Sequence, residues 1–173
     1  MTTSNIDALL AKVKPATAAV RMCLAGDLLA QRDLIQDELL QFDGWEPEDL
    51  SAPDPRTALR SRLKAVEAEM RSNTATFQFR AVGEKAWSDL LAAHPPREDK
   101  KEMWDPATFP TALIAASAVD PIMTPDEAGR LLEAFNLDQR NTLFGAAYSA
   151  NIRGVDIPFS SASYDAEAVI AKK

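Results

Sequence analysis

The sequence predicts a mainly α-helical single domain of about five to six helices with a small two-stranded antiparallel β element. Three observations lead to this prediction. Apolar residues recur every three or four positions over several stretches, which is the period of an amphipathic helix. Two short stretches alternate apolar and polar residues instead, which is typical of half-buried strands. Cap residues precede the helical stretches after residue 100 and indicate where those helices begin.

The 173 residues divide into three parts. Residues 1–17 form an N-terminal arm with one short amphipathic piece, which ends at Pro15 because proline disrupts a helix. Residues 18–152 form a helical domain with its small sheet, and a chain of this length can bury a core without disulfides. Residues 153–173 are rich in small and polar residues, so we expect an extended or mobile C-terminal tail.

The domain is predicted to begin with a β-α-α-β unit. Residues 18–24 alternate in period two and indicate the first strand, with a helix start as the competing interpretation. Helices over 27–42 and 56–71 follow, with matching apolar seams and opposite charge bias. Residues 74–82 alternate again and give the second strand. If the two helices form an antiparallel hairpin, the strands meet and pair antiparallel, and a helical bundle follows them.

The second half of the domain is predicted to be helices joined by caps. The small apolar stretch ALIAASAV, residues 112–119, is expected to be the central and most buried helix. Thr124 with Glu127, and Asn136 with Gln139, have the spacing of capping boxes. These two pairs are therefore expected to open the last two helices.

Charge and composition argue against several classes of function. The net charge of −7 disfavours binding to nucleic acid, which needs clustered basic residues, and binding to anionic membrane surfaces. No apolar run approaches the roughly 20 residues that span a bilayer, and the N-terminus lacks the features of a signal peptide. The lone Cys23 fits a reducing compartment. The sequence therefore predicts a cytoplasmic protein without nucleic-acid or membrane partners.

No pattern of catalytic or metal-binding residues stands out in the sequence. His94 is the only histidine, so a His-based metal site or a serine-type triad lacks identifiable partners. Cys23 has no plausible base nearby in the sequence and is better explained as a small buried apolar residue. We therefore expect no enzymatic activity, no cofactor and no metal.

Aromatic and apolar side chains remain as candidates for a partner-binding surface. The six candidates are Trp45, Leu132, Phe135, Phe144, Tyr148 and Phe159. The two in a polar loop and in the C-terminal tail either dock back on the fold or contact a partner. The four on the last two helices have a helical periodicity that favours core packing over partner contact.

Several stretches of the chain follow one another in a recognisable order. They are TFQFRAVGEKAWSDLLAAHPP, WDPATFPTALIAASAVDP, MTPDEAGRLLEAF and LFGAAYSAN, preceded by VRMCLAGDLLAQRDLIQDEL and LRSRLKAVEAEM. In this order and spacing they resemble the tail assembly chaperones of long-tailed bacteriophages, in the version common among phages of actinobacteria. The resemblance covers most of the chain, apart from the N-terminal arm and the tail.

The resemblance implies a largely helical, non-enzymatic protein. Such chaperones bind the very long, apolar tape measure protein, keep it soluble and help recruit tail tube subunits around it. They leave before the virion is complete, so we expect this chain in the host cytoplasm and not in the mature virion. A structural tail or head accessory protein that stays in the virion is the alternative, because it would share the same helical, acidic sequence.

Further partner interactions follow from the same resemblance. The tail tube protein is one expected partner, and a longer product of ribosomal frameshifting is another. The chain ends in Ala171-Lys172-Lys173, and tandem lysine codons can form a slippery stretch, although an ordinary charged C-terminus is the simpler explanation. Self-association is left open by the sequence.

Overall fold

The fold was analysed in a computed structural model that describes residues 5–46 and 54–154. Its elements in chain order are α1 Ile6–Leu10, β1 Thr17–Cys23, α2 Asp27–Leu40, α3 Pro55–Ser72, β2 Thr74–Arg80, α4 Glu84–Ala93, α5 Phe109–Ser117, β3 Ala118–Asp120, α6 Pro125–Ala134 and α7 Leu137–Ile152. The protein is mainly α-helical, as predicted. These two ranges contain seven helices and three strands, whereas the sequence predicted about five to six helices and two strands.

The three strands form one antiparallel sheet in the order β1-β2-β3. Thr17 lies opposite Arg80 and Cys23 lies opposite Thr74, so the predicted antiparallel pairing of the first two strands is confirmed. β1 begins at Thr17, one residue earlier than predicted, within the stretch assigned to the N-terminal arm.

The prediction of a two-stranded element was wrong, because β3 pairs with the other side of β2. Ala118 lies opposite Phe79 and Asp120 lies opposite Gln78, with an irregular register between them. The stretch ALIAASAV therefore contains the end of α5 and the start of β3 rather than one helix. Ala118 already has extended backbone angles, and Pro121 disfavours a helical conformation of the residue before it.

Helices α2 and α3 pack together as a hairpin, which connects the end of β1 to the start of β2. The Leu24 N–H donates to the Asn73 carbonyl oxygen at 2.9 Å, so the start of α2 and the end of α3 lie together. The Arg62 guanidinium lies 3.4 Å from the Glu38 carboxylate, which joins the first half of α3 to the last turns of α2. The buried side chains of the hairpin are Leu28, Ile35 and Leu59. Within the described ranges, none of these three belongs to the main core cluster.

The main core lies between the inner face of the sheet and helices α5 and α7. Its largest fully buried apolar side chains are Phe79, Phe109, Leu113, Ile114 and Leu143. Helix α5, which contains most of the small apolar stretch, is the most buried helix, as expected from the sequence, because it contributes Phe109, Leu113 and Ile114. Along β1 the side chains alternate, with Met22 buried on the inner face and Thr17, Ala19 and Arg21 exposed on the outer face.

Both predicted capping boxes are present. The Thr124 N–H donates to Glu127 Oε2 at 2.8 Å, and the Asn136 N–H donates to Gln139 Oε1 at 3.1 Å. Gln139 also donates through Nε2 to the Cys23 carbonyl oxygen at 3.0 Å. The N-terminus of α7 is therefore held at the end of β1, and α7 runs antiparallel to that strand.

Candidate protein-docking groove

An apolar groove runs between the start of α4 and the end of α7. It has a volume of about 450 Å³ and is lined by Ala81, Gly83, Glu84, Trp87, Met103, Tyr148, Asn151 and Ile152. We call this site the α4–α7 groove. Its lining comes from the link between β2 and α4, from α4, from the segment before α5 and from α7, so the fold assembles it from four parts of the chain.

A glycine positions one side of the α4–α7 groove. Gly83 has a φ of 83° and is the residue that precedes the first turn of α4. This left-handed backbone conformation is readily adopted by glycine and strained for other residues. The sharp change in direction at Gly83 turns the chain from β2 into α4 and brings Trp87 over the core.

Aromatic side chains form the floor of the groove. The Trp87 ring centroid lies 5.7 Å from that of Phe109, in an edge-to-face arrangement, and 5.9 Å from that of Tyr148. Beneath them, Trp104 stacks on Phe109 with 4.6 Å between centroids. Because Phe109 is fully buried, this aromatic cluster holds Trp87 and Tyr148 in place before any partner arrives.

The Asn151 side chain in the groove lining makes its hydrogen bonds within the protein. Asn151 Nδ2 donates to Ser117 Oγ at 3.0 Å and to the Ala147 carbonyl oxygen at 2.8 Å. Asn151 Oδ1 accepts from the Val82 N–H at 2.9 Å. Since both ends of the amide are bonded internally, the surface that the groove offers to a ligand is largely apolar.

The rim of the groove carries exposed apolar side chains. Met103 is 71% exposed and Ile152 is 55% exposed, whereas Trp87 and Tyr148 are half-buried. Methionine is unbranched and polarizable, so it adapts to irregular apolar partners. A rigid aromatic floor with a flexible apolar rim is suited to covering an apolar stripe on another protein. Glu84 is the charged residue of the lining.

An ion pair holds the segment that carries Met103. The Arg97 guanidinium donates to the Glu102 carboxylate, and this hydrogen bond lowers the pKa of Glu102. The same contact raises the pKa of Arg97. Both side chains therefore stay charged near neutral pH, and their pairing braces the loop next to the groove rim.

The six predicted partner-binding residues lie in different environments. Leu132 is buried; Trp45, Phe135, Phe144 and Tyr148 are half-buried; and Phe159 lies outside the described residues. Trp45 packs under the Arg56 guanidinium, with 5.3 Å from the Arg56 Cζ to the ring centroid. Phe135 packs edge-to-face on Phe77 at 6.4 Å. The structure brings Phe144 and Tyr148 together, with 5.7 Å between centroids, and of these two only Tyr148 lines the α4–α7 groove.

Of the eight groove residues, only Tyr148 was among the predicted site residues, and the large apolar ones that the sequence analysis missed are Trp87, Met103 and Ile152. Trp87 shares a helical face with leucines, so its pattern is that of an ordinary core residue. Met103 could have been identified from the sequence as an exposed apolar residue, because it directly follows the charged stretch REDKKE. Ile152 lies at the last position of α7, where a boundary error of one residue decides whether it is counted as helix or tail.

The two residues weighed for catalysis make structural contacts. His94 Nδ1 lies 2.9 Å from Thr108 Oγ1, and its ring packs against Phe109 with 6.3 Å between centroids. The Cys23 Sγ lies 3.6 Å from the Ala25 carbonyl oxygen, and the side chain is half-buried. The His94 contacts join the end of α4 to the start of α5, and the Cys23 contact is local to the turn after β1. Neither residue lines the α4–α7 groove.

Other classes of site were sought across residues 5–46 and 54–154. In these ranges no group of three or more His, Cys, Asp and Glu side chains is arranged to hold a metal ion. The helices of the same ranges include none that combines the length and the hydropathy needed to cross a bilayer. Comparison of the chain with protein-family models, with curated proteins and with solved structures finds no match in any of the three.

Proposed function

We propose that this protein is a phage tail assembly chaperone that binds the tape measure protein, keeps it soluble and promotes assembly of the tail tube. Two observations support the proposal. The ordered stretches of the sequence resemble that family across most of the chain. The α4–α7 groove, which carries the proposal, exposes Met103 and Ile152 over a fixed aromatic floor.

The chemistry of the partner explains why such a groove is useful. A tape measure helix exposes an apolar stripe until the tail tube encloses it. An amphipathic helix binds by laying its apolar face into a hydrophobic groove. The α4–α7 groove has a volume of about 450 Å³, so it covers such a stripe without the large buried area of a permanent interface. Release when the tube forms requires this kind of moderate, reversible contact.

The other features of the proposed function follow from the same role. The protein acts in the host cytoplasm, performs no chemical reaction and leaves before the virion is complete. Tail tube subunits and a longer frameshifted form of the chain act as further partners. We assign no surface of this chain to either partner, because the family resemblance carries no contact motif for them.

Co-expression with a long, apolar tape measure candidate tests the proposal. We expect the tape measure protein to be soluble and to co-purify only when this chain is present. Met103→Asp places a charge on the groove rim and should lower the co-purified amount several-fold. Ile122→Asp is the matched control, since Ile122 is 83% exposed and lies outside the groove lining.

Two results would contradict this assignment. If wild-type chain leaves the tape measure protein insoluble, the short product alone is not the chaperone. If both aspartate variants reduce co-purification equally, the α4–α7 groove is not the binding site. Detection of the protein in purified virions would instead favour a structural tail or head accessory protein.

A further inference from the structure

Among residues 5–46 and 54–154, β1 pairs with β2 on one side only, so its outer edge is open to a further strand within these ranges. In the antiparallel β1–β2 ladder, Ala81 N–H donates to the Ala16 carbonyl oxygen and Leu24 N–H donates to the Asn73 carbonyl oxygen, both at 2.9 Å. These bonds place the even-numbered residues of β1 in hydrogen-bonded pairs with β2, because such pairs alternate along an antiparallel ladder. The N–H and C=O groups of Thr17, Ala19 and Arg21 therefore point away from β2, toward the outer edge.

The open stretch is bounded at both ends. Pro15 precedes it and has no backbone N–H to donate. Cys23 ends it, and its carbonyl oxygen already accepts a hydrogen bond from Gln139 Nε2 at 3.0 Å. An added strand can therefore use three consecutive outward-facing residues, of which Ala19 is the middle one.

Space for another strand exists beside this edge. A cavity of about 720 Å³ is lined by Thr17, Ala18 and Ala19 of β1 and by residues of the preceding segment and of the end of α7. The side chains of Thr17 and Ala19 are small and exposed. Proteins usually block such an edge with proline, charge or a covering element, and β1 itself has one charged residue, Arg21, and no proline.

Charge is distributed unevenly between the two ends of the edge. The Thr17 end is basic, because Lys12, Lys14 and Arg153 line the cavity there. The Cys23 end carries two carboxylates beside the single cation Arg21: Asp27 opens α2, and Asp138 lies next to Gln139 in the first turn of α7. All six of these charged side chains are exposed, so the Cys23 end is acidic by one charge. An antiparallel arrangement of two identical edges therefore places the basic end of each against the acidic end of the other.

We propose that β1 pairs with β1 of a second copy of this chain. A two-fold axis at Ala19 sets Ala19 opposite Ala19 and Thr17 opposite Arg21, and it joins the two sheets into one continuous antiparallel sheet. The residue alternation fits, since Ala18 and Val20 of both copies then lie on the inner, core-facing side. This surface is distinct from the α4–α7 groove, so the dimer does not depend on the proposed chaperone function.

The mass of the purified full-length protein in solution tests this interface directly. Size-exclusion chromatography with light scattering should give twice the chain mass of 18.9 kDa at micromolar concentration. Ala19→Pro removes an outward-facing N–H and leaves the β1–β2 bonds in place, so it should reduce the mass to that of one chain. Ala19→Ser keeps the N–H and should remain dimeric. Circular dichroism should show the same helical content in both variants.

A charge exchange keeps the proposal testable if the proline variant unfolds. Lys14→Glu and Asp138→Lys should each weaken the dimer several-fold, as measured by dilution, and the double variant should regain most of the wild-type affinity. A one-chain mass for the wild type across the micromolar range would overturn the proposal. Slow hydrogen exchange at the Ala19 amide in a one-chain particle would also overturn it, because another segment, such as residues 155–173, would then occupy the edge.

Discussion

The side-chain oxygen of Asn151 accepts a hydrogen bond from the backbone N–H of Val82, with 2.9 Å between the two atoms. This bond joins the end of α7 to the chain just beyond β2. The same amide donates to Ser117, which is 1% exposed, at the end of α5. One side chain therefore ties together three segments that meet beneath the α4–α7 groove.

Replacing Asn151 by alanine should destabilise the fold. The change leaves the Val82 N–H and the Ser117 hydroxyl without these partners, and an unsatisfied buried polar group costs about 1–3 kcal/mol. Chemical denaturation should show a lower midpoint for Asn151→Ala, while Asn141→Ala, at an exposed position of the same helix, should change it little. Equal stabilities for the two variants would mean that the amide does not hold these segments together.

Two glycines should respond oppositely to the same substitution. A Cβ added at Gly83 or at Gly145 meets no atom within 4 Å, so only the backbone conformation distinguishes them. Gly83 has a φ of 83° and a ψ of 159°, a region that is essentially restricted to glycine, and Gly83→Ala should cost about 1–3 kcal/mol. Gly145 lies inside α7, and Gly145→Ala should stabilise by about 0.5–1 kcal/mol. Thermal unfolding of both variants measures the difference, and a shift in the same direction would contradict the assignment of strain at Gly83.

The α2–α3 hairpin should open independently of the main core. Ile35 is 4% exposed, but it packs outside the main core cluster. Ile35→Ala should therefore lower the opening free energy measured by hydrogen exchange at the amides of α2 and α3 by about 2–5 kcal/mol. The amides of α5 and α7 should keep their protection. Leu113→Ala, in the fully buried part of α5, should lower protection throughout. If Ile35→Ala weakens α5 and α7 to the same extent, the hairpin and the core unfold as one unit.

Local signals in the sequence were sufficient for much of the fold. The strands around Val20 and Phe77 were found from period-two alternation, and the helix starts at Thr124 and Asn136 were found from cap spacing. These features depend on residues within a few positions of one another. β3 was missed because three residues carry no measurable period, and it becomes a strand only by pairing with β2.

The candidate site was less predictable than the fold, for a physical reason. Tyr148 was among the predicted partner-binding residues, but Trp87 and Met103 were not. Their contact with Tyr148 around one groove depends on the packing of α4 and the following segment against α5 and α7. The sequence pattern shows that such side chains are apolar, but it does not show which of them stay accessible after the helices pack.

The capping box of α6 should make the free energy of unfolding decrease at acid pH. The Glu127 carboxylate accepts hydrogen bonds from the Thr124 N–H at 2.8 Å and from the Thr124 hydroxyl at 2.9 Å. The backbone bond is the largest cause that lowers the pKa of Glu127 from its usual value of 4.5. Because the pKa is lower in the folded state, the stabilisation is fully present above the usual value and is lost as the pH falls through the folded value.

Glu127→Gln should therefore lose less stability than the wild type between about pH 6 and about pH 3, because its amide does not titrate. Denaturation at several pH values measures this difference. Glu133→Gln, at an exposed position of the same helix, is the matched control and should follow the wild-type curve closely. If Glu127→Gln and the wild type lose the same stability over this range, the contacts of Thr124 with the Glu127 carboxylate do not contribute to the acid sensitivity of the fold.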